Sequence, residues 1–264
     1  MGRLLITGAS GYLGAELARR APRATGTYLT SERPGAARLD VRDAVAVTRL
    51  FDEQRPQAVI HTAYLESGEG AAGVNVDGSR YVARAAANVG ARLVHVSTDL
   101  VFDGALGRPY TEDDEPRPIT EYGRQKLAAE EAVREALPDA LVVRTSLIYG
   151  GAEPSRHERL ARDGGGVKFF TDELRSPVQV GDLAAALLEL AASDVSGVLH
   201  VAGADGVSRY ELARLVAANP DTLESGLAAE HPTPRPLDCR LDSSRAQTML
   251  SMRLRGVTEV LAPR

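Results

Sequence analysis

The sequence is poor in the residues and patterns that point to several common protein classes. It has no tryptophan and one cysteine, Cys239, among 264 residues. A single cysteine excludes a disulfide within the chain and is typical of a reducing compartment, so we expect a cytoplasmic protein. No apolar run approaches the roughly 20 residues that span a bilayer. No charged-then-apolar signal segment precedes Leu4.

Blocks of basic residues are also lacking. The chain has 31 Lys and Arg residues against 36 Asp and Glu residues, a net charge of −5, and its cations are scattered. Proteins that bind nucleic acid or anionic membranes usually carry a basic patch, so we expect neither partner. The five histidines and Cys239 do not cluster at metal-ligand spacings, so we expect no metal site.

Short apolar runs alternate with amphipathic, helix-length segments through most of the chain. Strands of a parallel sheet read as near-continuous apolar runs because helices cover both faces of the sheet. The alternation therefore predicts an α/β fold with a doubly wound parallel sheet, the Rossmann fold. We predict strands at 3–8, 23–29, 57–63, 92–98, 140–148 and 197–203, and helices at 12–20, 44–54 (capped by Asp43), 73–90, 121–137, 182–193 and 208–218.

Three glycines, Gly8, Gly11 and Gly14, separate the first predicted strand from the first predicted helix in "TGASGYLG". In a doubly wound sheet this turn holds a pyrophosphate on backbone N–H groups at the start of the helix. Glycines also serve in tight packing turns that bind nothing. The position after the first strand favours the phosphate site, although the spacing is G-x-x-G-x-x-G instead of the commoner G-x-G-x-x-G.

The end of the second predicted strand bears on which dinucleotide is bound. It reads "TYLTSERPG" and lacks the acid that typically binds the ribose 2′-hydroxyl of NAD. Ser31 and Arg33 offer a hydroxyl and a guanidinium suited to a 2′-phosphate, with Glu32 between them. We therefore expect NADP(H), with NAD(H) as the alternative. Arg33 as an ordinary loop cation is the other interpretation.

Tyr122 and Lys126 lie four residues apart on a predicted helix, so their side chains leave from one face. A phenol with a pKa of about 10 becomes a usable proton donor and acceptor when a nearby ammonium lowers that pKa. The pair follows a strand that ends in Ser97 and Thr98, where ligands bind in open α/β sheets. Strand alternation turns only one of those two hydroxyls toward the site.

These motifs together resemble the extended short-chain dehydrogenase/reductases. Within that superfamily, "LVHVSTDLVFDG", "PYTEDDEPRPITEYGRQKLAAEE", "VVRTSLIYG", "SPVQVGDLA" and "HVAGADGVSRYELA" are similar to the dTDP-4-dehydrorhamnose reductases. The likeness runs from Leu4 to about Leu215. It implies an NADPH-dependent reductase of a 4-keto-6-deoxy sugar nucleotide, with Tyr122 as the general acid.

The resemblance also implies roles for matching residues. Lys126 would hold ribose hydroxyls and lower the pKa of the phenol, and Thr98, chosen over Ser97, would bind the substrate oxygen. The expected catalytic residues are Thr98, Tyr122 and Lys126. With Ser31 and Arg33 added from the argument above, the expected cofactor-binding residues are Gly8, Ser10, Gly11, Tyr12, Leu13, Gly14, Ser31, Arg33, Asp40, Val41, Ala63, Tyr122 and Lys126. The expected substrate-binding residues are Asp99 and Arg235.

We predict the domain boundaries from the places where the alternation of apolar strands and amphipathic helices becomes irregular. We predict an NADP-binding domain at 1–149, to which 178–203 returns, and a small substrate-binding lobe from 150–177 and 204–264. The polar stretch 150–170 is interpreted as a boundary or mobile loop, and little regular structure is predicted after Asn219. Leu100 and Arg175 depart from the tyrosine and glycine usual in the family, which bears on the identity of the sugar.

Other functions within the superfamily remain as alternatives. A 4,6-dehydratase needs an acid pair after the threonine, which "Thr98-Asp99-Leu100" does not supply. A nucleotide-sugar epimerase uses the same Tyr/Lys pair. A regulatory subunit of the methionine adenosyltransferase beta type would bind NADP without catalysis. The oligomeric state is open, a homodimer included.

Overall fold

The computed structural model describes residues 2–163 and 166–262. Among these residues the strands are β1 Leu4–Thr7, β2 Thr25–Tyr28, β3 Ala37–Arg38, β4 Ala58–His61, β5 Arg92–Thr98, β6 Leu141–Thr145, β7 Ile148–Tyr149, β8 Lys168–Phe170, β9 Leu174–Arg175, β10 Val178–Gln179, β11 Gly197–His200, β12 Val207–Ser208 and β13 Glu224–Gly226. The α-helices of the same residues are α1 Tyr12–Arg20, α2 Ala44–Gln54, α3 Ser79–Val89, α4 Glu121–Ala136, α5 Arg156–Asp163, α6 Val180–Ala191, α7 Arg209–Val216, α8 Ser244–Met249 and α9 Val257–Leu261.

The central sheet has seven strands within the described residues, in the order β11-β6-β5-β4-β1-β2-β3. β1 pairs in parallel with β2 and with β4, and β4 pairs in parallel with β5. The order doubles back at β1, as expected of a doubly wound Rossmann fold. The predicted fold class is therefore confirmed.

The chain divides into two compact units. The first unit comprises the chain up to Ser97, Arg124–Val143 and Ala184–Leu199. The second unit comprises Thr98–Gly123, Arg144–Leu183 and the chain from His200. This division differs from the predicted domains, because Thr98–Gly123 groups with the second unit. The assignment of cofactor and substrate to separate domains stays a prediction.

The core of the first unit forms between the sheet and the helices α2 and α3. Phe51, Val59, Val82 and Leu93 are fully buried there. Burying a side chain of this size stabilises the fold by about 1.5–3 kcal/mol relative to exposing it. The helices are defined by local signals: Asp43 caps α2 by accepting from two backbone N–H groups, and Gly90 ends α3 with φ of +68°.

The second unit is built from short elements. Its strands pair in twos: β7 with β10, β8 with β13, and β9 with β12. Tyr149, Leu212 and Val257 form one buried cluster, and Ala161, Phe169 and Ala213 pack in another. Ser208 caps α7 with a full capping box to Glu211.

Four sequence expectations are wrong. The stretch 150–170, expected as a boundary or mobile loop, contains α5 and β8 among its described residues, and residues 164–165 lie outside those described. The tail after Asn219 contains β13, α8 and α9. The strand expected at 140–148 is two strands, β6 and β7. The break falls at Ser146, whose hydroxyl bonds the Asp99 carboxylate. Helix α6 begins before Asp182, because the Gln179 side chain accepts from the Asp182 N–H.

None of the helices in the described part of the chain combines the length and the apolar character needed to cross a membrane.

Candidate active site

The turn between β1 and α1 requires glycine at two of its three glycine positions. Gly8 has φ of +74°, and a Cβ there would lie 2.9 Å from the backbone nitrogen of Ala63. A Cβ on Gly14 would lie 2.1 Å from the Gly8 carbonyl oxygen. The Gly11 N–H donates to that same oxygen at 2.9 Å and closes the turn. The turn therefore brings Gly8, Gly11, Gly14 and Ala63 together in the first unit.

The start of α1 suits an anion. Within the described part of the chain no side chain caps this helix, whereas Asp43 caps α2. An uncapped helix start presents backbone N–H groups and the positive end of the helix dipole. Ser10 is exposed beside it and Tyr12 is half-buried, whereas Leu13 is buried in the core. The backbone cradle and the helix start thus fit a bound pyrophosphate.

Arg33 lies over the glycine turn. Its guanidinium donates to the carbonyl oxygens of Ala9 at 3.2 Å and Ala15 at 3.4 Å. The side chain is therefore held at the start of α1. Ser31 and Glu32 are exposed beside it. The role of Arg33 and Ser31 at the ribose 2′-phosphate of NADP stays a prediction.

Asp40 and Val41 follow β3 with different surroundings. Asp40 pairs with the exposed Arg42 at 2.6 Å, and the hydrogen bond from Arg42 holds the pKa of Asp40 below its usual value. Val41 is buried against Gly78, where a Cβ would lie 2.6 Å from a Val41 methyl group. Asp40 is thus engaged by Arg42 and Val41 is buried. Their proposed contacts with the adenine stay a prediction.

Lys126 projects from α4 into the interior of the first unit, with only 3% of its surface exposed. Its Nζ donates to the Val96 carbonyl oxygen at 2.7 Å and lies 3.4 Å from His95 Nε2. Burial lowers the pKa of Lys126 to about 8, and the charge of Glu130 partly offsets that decrease. The ammonium is thus desolvated but still mostly protonated at neutral pH.

Two histidines are buried on the neighbouring strands β4 and β5. His61 contacts the Thr7 hydroxyl through Nδ1 at 2.5 Å and the Ser79 hydroxyl through Nε2 at 3.1 Å. Burial lowers the pKa of His61 to about 3 and that of His95 well below its usual value. Both rings are therefore neutral at pH 7, and His61 has a partner at each ring nitrogen.

Ser97 and Thr98, consecutive residues at the end of β5, have different partners. Ser97 donates its hydroxyl to the buried carboxylate of Glu130 in the first unit. In the second unit, Thr98 donates to Asp99 Oδ1 at 3.1 Å and accepts from the Leu100 N–H at 3.2 Å. The Ser97 hydroxyl is engaged by Glu130, which agrees with the choice of Thr98 as the substrate-binding hydroxyl. The catalytic role of Thr98 stays a prediction.

Tyr122 lies at the second residue of α4, four residues before Lys126. The next residue, Gly123, packs on the Thr98–Leu100 segment: a Cβ there would lie 2.1 Å from the Leu100 carbonyl oxygen. The Gly123 N–H also donates to the Thr120 hydroxyl at 3.0 Å. Sequence reasoning missed Gly123, whose close approach fixes the start of the helix that carries Tyr122.

Asp99 is buried beside Arg175, which the sequence indicates only as a departure from the glycine usual in the family. Asp99 Oδ2 accepts from the Ser146 hydroxyl at 2.6 Å and lies 3.7 Å from Arg175 Nε. Burial raises the pKa of Asp99, and the charge of Arg175 and the Ser146 hydrogen bond oppose that increase. The Arg175 guanidinium also donates to the carbonyl oxygens of Pro236 and Leu237, each at 3.0 Å.

Glu173 joins three arginines. Its side chain is fully buried, and its carboxylate contacts Arg235 through two guanidinium nitrogens, Arg175 at 3.6 Å and Arg209 at 3.5 Å. Arg235 and Arg209 are about a quarter exposed, whereas Arg175 is 3% exposed. The structure therefore brings the two predicted substrate residues, Asp99 and Arg235, into one ionic network through Arg175 and Glu173. We call these five residues the Glu173 network.

The sequence is similar to one family of known proteins. The sequence matches the family described as RmlD substrate binding domain over residues 2–262. It is 40% identical over 254 residues to the dTDP-4-dehydrorhamnose reductase of Mycobacterium tuberculosis, covering 89% of this chain and 82% of that protein.

Two solved structures are similar over nearly their whole length. A hypothetical dTDP-4-dehydrorhamnose reductase from Sulfolobus tokodaii shows a TM-score of 0.84 at 33% identity, with 97% of each chain covered. The dTDP-4-dehydrorhamnose reductase of Bacillus anthracis, solved in complex with NADP, shows a TM-score of 0.84 at 27% identity, with 98% of this chain and 97% of that chain covered.

Proposed function

Because the chain belongs to the dTDP-4-dehydrorhamnose reductase family of extended short-chain dehydrogenase/reductases, we propose that it reduces the 4-keto group of a 6-deoxy sugar nucleotide with NADPH. The buried Lys126, one helical turn after Tyr122, carries this proposal. The epimerase and the regulatory subunit gain no support, since the relatives described above are reductases.

The cofactor would lie on the glycine turn. The Gly8 and Gly14 cradle, which a Cβ would fill, lets the backbone approach a pyrophosphate, and the uncapped start of α1 stabilises its charge. Arg33 would bind the 2′-phosphate, which favours NADPH, with NADH as the alternative. Lys126 would hold the ribose hydroxyls through Nζ.

Bound NADPH would supply the hydride that reduces the carbonyl carbon. Tyr122 would donate its phenolic proton to the carbonyl oxygen, and the ammonium of Lys126 would lower the pKa of that phenol. Thr98 would turn its hydroxyl proton from Asp99 Oδ1 to the same oxygen and donate a hydrogen bond to it as negative charge develops there. The product is the alcohol, and solvent returns the proton to Tyr122.

The substrate would be recognised by the second unit. Arg235 and Arg209 present partly exposed guanidiniums that Glu173 holds in place, which suits a nucleotide diphosphate. Asp99 would bind a sugar hydroxyl. Leu100, where the family usually has tyrosine, removes one polar group from the neighbouring position, so the sugar specificity of this chain need not equal that of its relatives.

The compartment and the oligomeric state of the protein complete the description of the proposed reaction. We propose a reducing compartment such as the cytoplasm, because Cys239 is the single cysteine of the sequence and is a free thiol. The oligomeric state is open, a homodimer included, and gel filtration with light scattering measures it.

The function is tested by mixing the purified protein with NADPH and dTDP-4-keto-6-deoxyglucose. We expect loss of NADPH absorbance with formation of one alcohol per NADPH, and slower turnover with NADH. Tight NADPH binding without oxidation by any 4-keto sugar nucleotide would contradict the proposal and favour a binding subunit.

A further inference from the structure

The imidazole of His95 contacts Lys126 and has no part in the proposed mechanism. β4 and β5 are in register at His61 and His95, whose ring centroids lie 5.3 Å apart. His61 has a hydrogen-bond partner at each nitrogen. His95 faces Lys126 Nζ with Nε2 at 3.4 Å, and its buried Nδ1 has no hydrogen-bond partner within the described residues.

The protonation states of Lys126 and His95 decide which of the two donates the hydrogen bond. Burial, the charge of Lys126 and the neighbouring His61 all lower the pKa of His95, so its ring is neutral. Lys126, with a pKa of about 8, is mainly an ammonium at neutral pH and has no lone pair to offer. His95 Nε2 must then accept, and the ring proton must lie on Nδ1, the atom without a partner. This arrangement leaves a buried N–H without an acceptor among the described residues, which costs free energy.

We propose that His95 is a positioning residue for Lys126: its neutral imidazole accepts a hydrogen bond from the ammonium and keeps the proton on Nζ. The inference rests on the proposed function, because it is Lys126 that acts on Tyr122 and on the cofactor ribose. His95 itself would touch neither substrate nor cofactor.

The other groups facing Lys126 do not replace this contact. The Val96 carbonyl oxygen accepts a second hydrogen bond from Nζ at 2.7 Å. Glu130, one helical turn further along α4, favours the charged form, but its carboxylate accepts from Ser97. His61 is neutral and bonded elsewhere. Without His95, the groups left to stabilise the desolvated ammonium among the described residues would be the Val96 carbonyl and the Glu130 carboxylate.

The chain allows a direct test because it has only two lysines, Lys126 and Lys168. Lysine labelled with ¹³C and ¹⁵N in the side chain should give two NMR signals, which Lys168→Arg assigns. In the protein without cofactor, we expect the Lys126 signal to titrate well below that of Lys168, whose ion pair with Glu230 raises its pKa.

Three variants separate positioning from packing. His95→Leu removes the acceptor, and we expect the pKa of Lys126 to fall by about one unit, a tenfold weaker proton affinity. His95→Gln restores an acceptor and should recover most of that shift. His61→Leu, an equally buried change without a bond to Lys126, should lower Tm but leave the pKa of Lys126 close to that of the wild type. An unchanged or higher pKa of Lys126 in His95→Leu would overturn the proposal.

A measurement on the wild type covers the case in which the variants do not fold. Long-range ¹H–¹⁵N spectra distinguish the two neutral histidine tautomers, and we expect His95 to carry its proton on Nδ1. A proton on Nε2 would overturn the proposal.

Activity tests the link to catalysis. In His95→Leu the alkaline limb of the kcat/KM profile should move to lower pH by the same amount as the pKa of Lys126. If the wild type shows no turnover while the NMR results are as expected, the proposed function is refuted and the proposed His95–Lys126 contact is not.

Discussion

Gly123 approaches Leu100 so closely that a Cβ on residue 123 would lie 2.1 Å from the Leu100 carbonyl oxygen. This approach joins the first turn of α4, which carries Tyr122, to the segment that follows Thr98. The positions of the two proposed catalytic hydroxyls in the second unit thus depend on one missing side chain.

Gly123→Ala should therefore impair catalysis. The added methyl group must push the start of α4 away from Leu100, and overpacking of this kind costs about 1–3 kcal/mol. Because a displacement of about 1 Å at a reacting group can cost a hundredfold in rate, we expect kcat to fall by about 10- to 100-fold. Steady-state kinetics and thermal unfolding measure the two effects.

Gly73→Ala is the matched control for that variant. A Cβ on residue 73 would meet its nearest atom, on the Arg42 side chain, at 3.5 Å, which is an ordinary contact. We expect kcat and Tm to stay close to those of the wild type. Equal losses in the two variants would show that the Leu100 contact has no special effect.

Arg33→Ala should reduce the preference for NADPH. The guanidinium is held on the Ala9 and Ala15 carbonyls, beside the place proposed for the 2′-phosphate. Loss of a charge-assisted contact costs about 1.4 kcal/mol or more, which is a tenfold rise in the KM for NADPH. The KM for NADH should change little, and Arg23→Ala serves as a control away from the turn. Parallel rises for both cofactors would exclude a contact to the 2′-phosphate.

Glu173→Gln should destabilise the second unit. The substitution leaves Arg175 buried and Arg209 and Arg235 partly buried without their shared carboxylate. Removing one partner of a buried ion pair costs about 3–5 kcal/mol. We expect a fall of that order in the free energy of unfolding, measured with urea. We also expect a higher KM for the sugar nucleotide, because Arg235 and Arg209 lose their anchor.

Glu230→Gln is the control for the Glu173 network. It breaks an ion pair with Lys168 in which both side chains are about half exposed. Exposed pairs contribute little, so stability and kinetics should stay unchanged. A similar loss in both variants would contradict a special role for the buried network.

Acid should destabilise the protein through its buried histidines. Burial lowers the pKa of His61 and of His157 to about 3 in the folded chain, whereas an unfolded histidine has a pKa of about 6.5. Below pH 6.5 the unfolded state therefore binds more protons, and stability present above that pH is lost as the pH falls towards 3. Each histidine should cost about 2 kcal/mol between pH 6.5 and pH 5.

Urea unfolding at several pH values measures this loss. His61→Gln, whose amide can replace both ring contacts, should flatten the dependence on pH in that range. An unchanged slope in His61→Gln would contradict the assignment of a neutral buried ring.

The parts of the fold that depend on local signals could be predicted from the sequence. β5 spans Arg92–Thr98 as predicted, because its apolar run directly follows the Gly90 stop. Helix α2 begins after Asp43 for a similarly local reason. The break between β6 and β7 could not be predicted, since it depends on a hydrogen bond from Ser146 to a residue 47 positions earlier.

The same distinction between local signals and long-range contacts applies to the candidate site. The glycine turn and the Tyr122–Lys126 spacing are short-range motifs, and they could be recognised without coordinates. Glu173 could not be, because its partner Arg235 lies 62 residues away. The sequence marks Arg175 only as a departure from the family, and its burial beside Asp99 and Glu173 gives that departure a physical role.

The rate of Tyr122→Phe with NADPH and a 4-keto-6-deoxy sugar nucleotide tests the central claim most directly. The phenylalanine keeps the ring and removes the proton donor, so kcat should fall by about 10²- to 10⁴-fold while the affinity for NADPH changes only a few-fold. A kcat within a few-fold of the wild type would show that another group supplies the proton and would contradict the account.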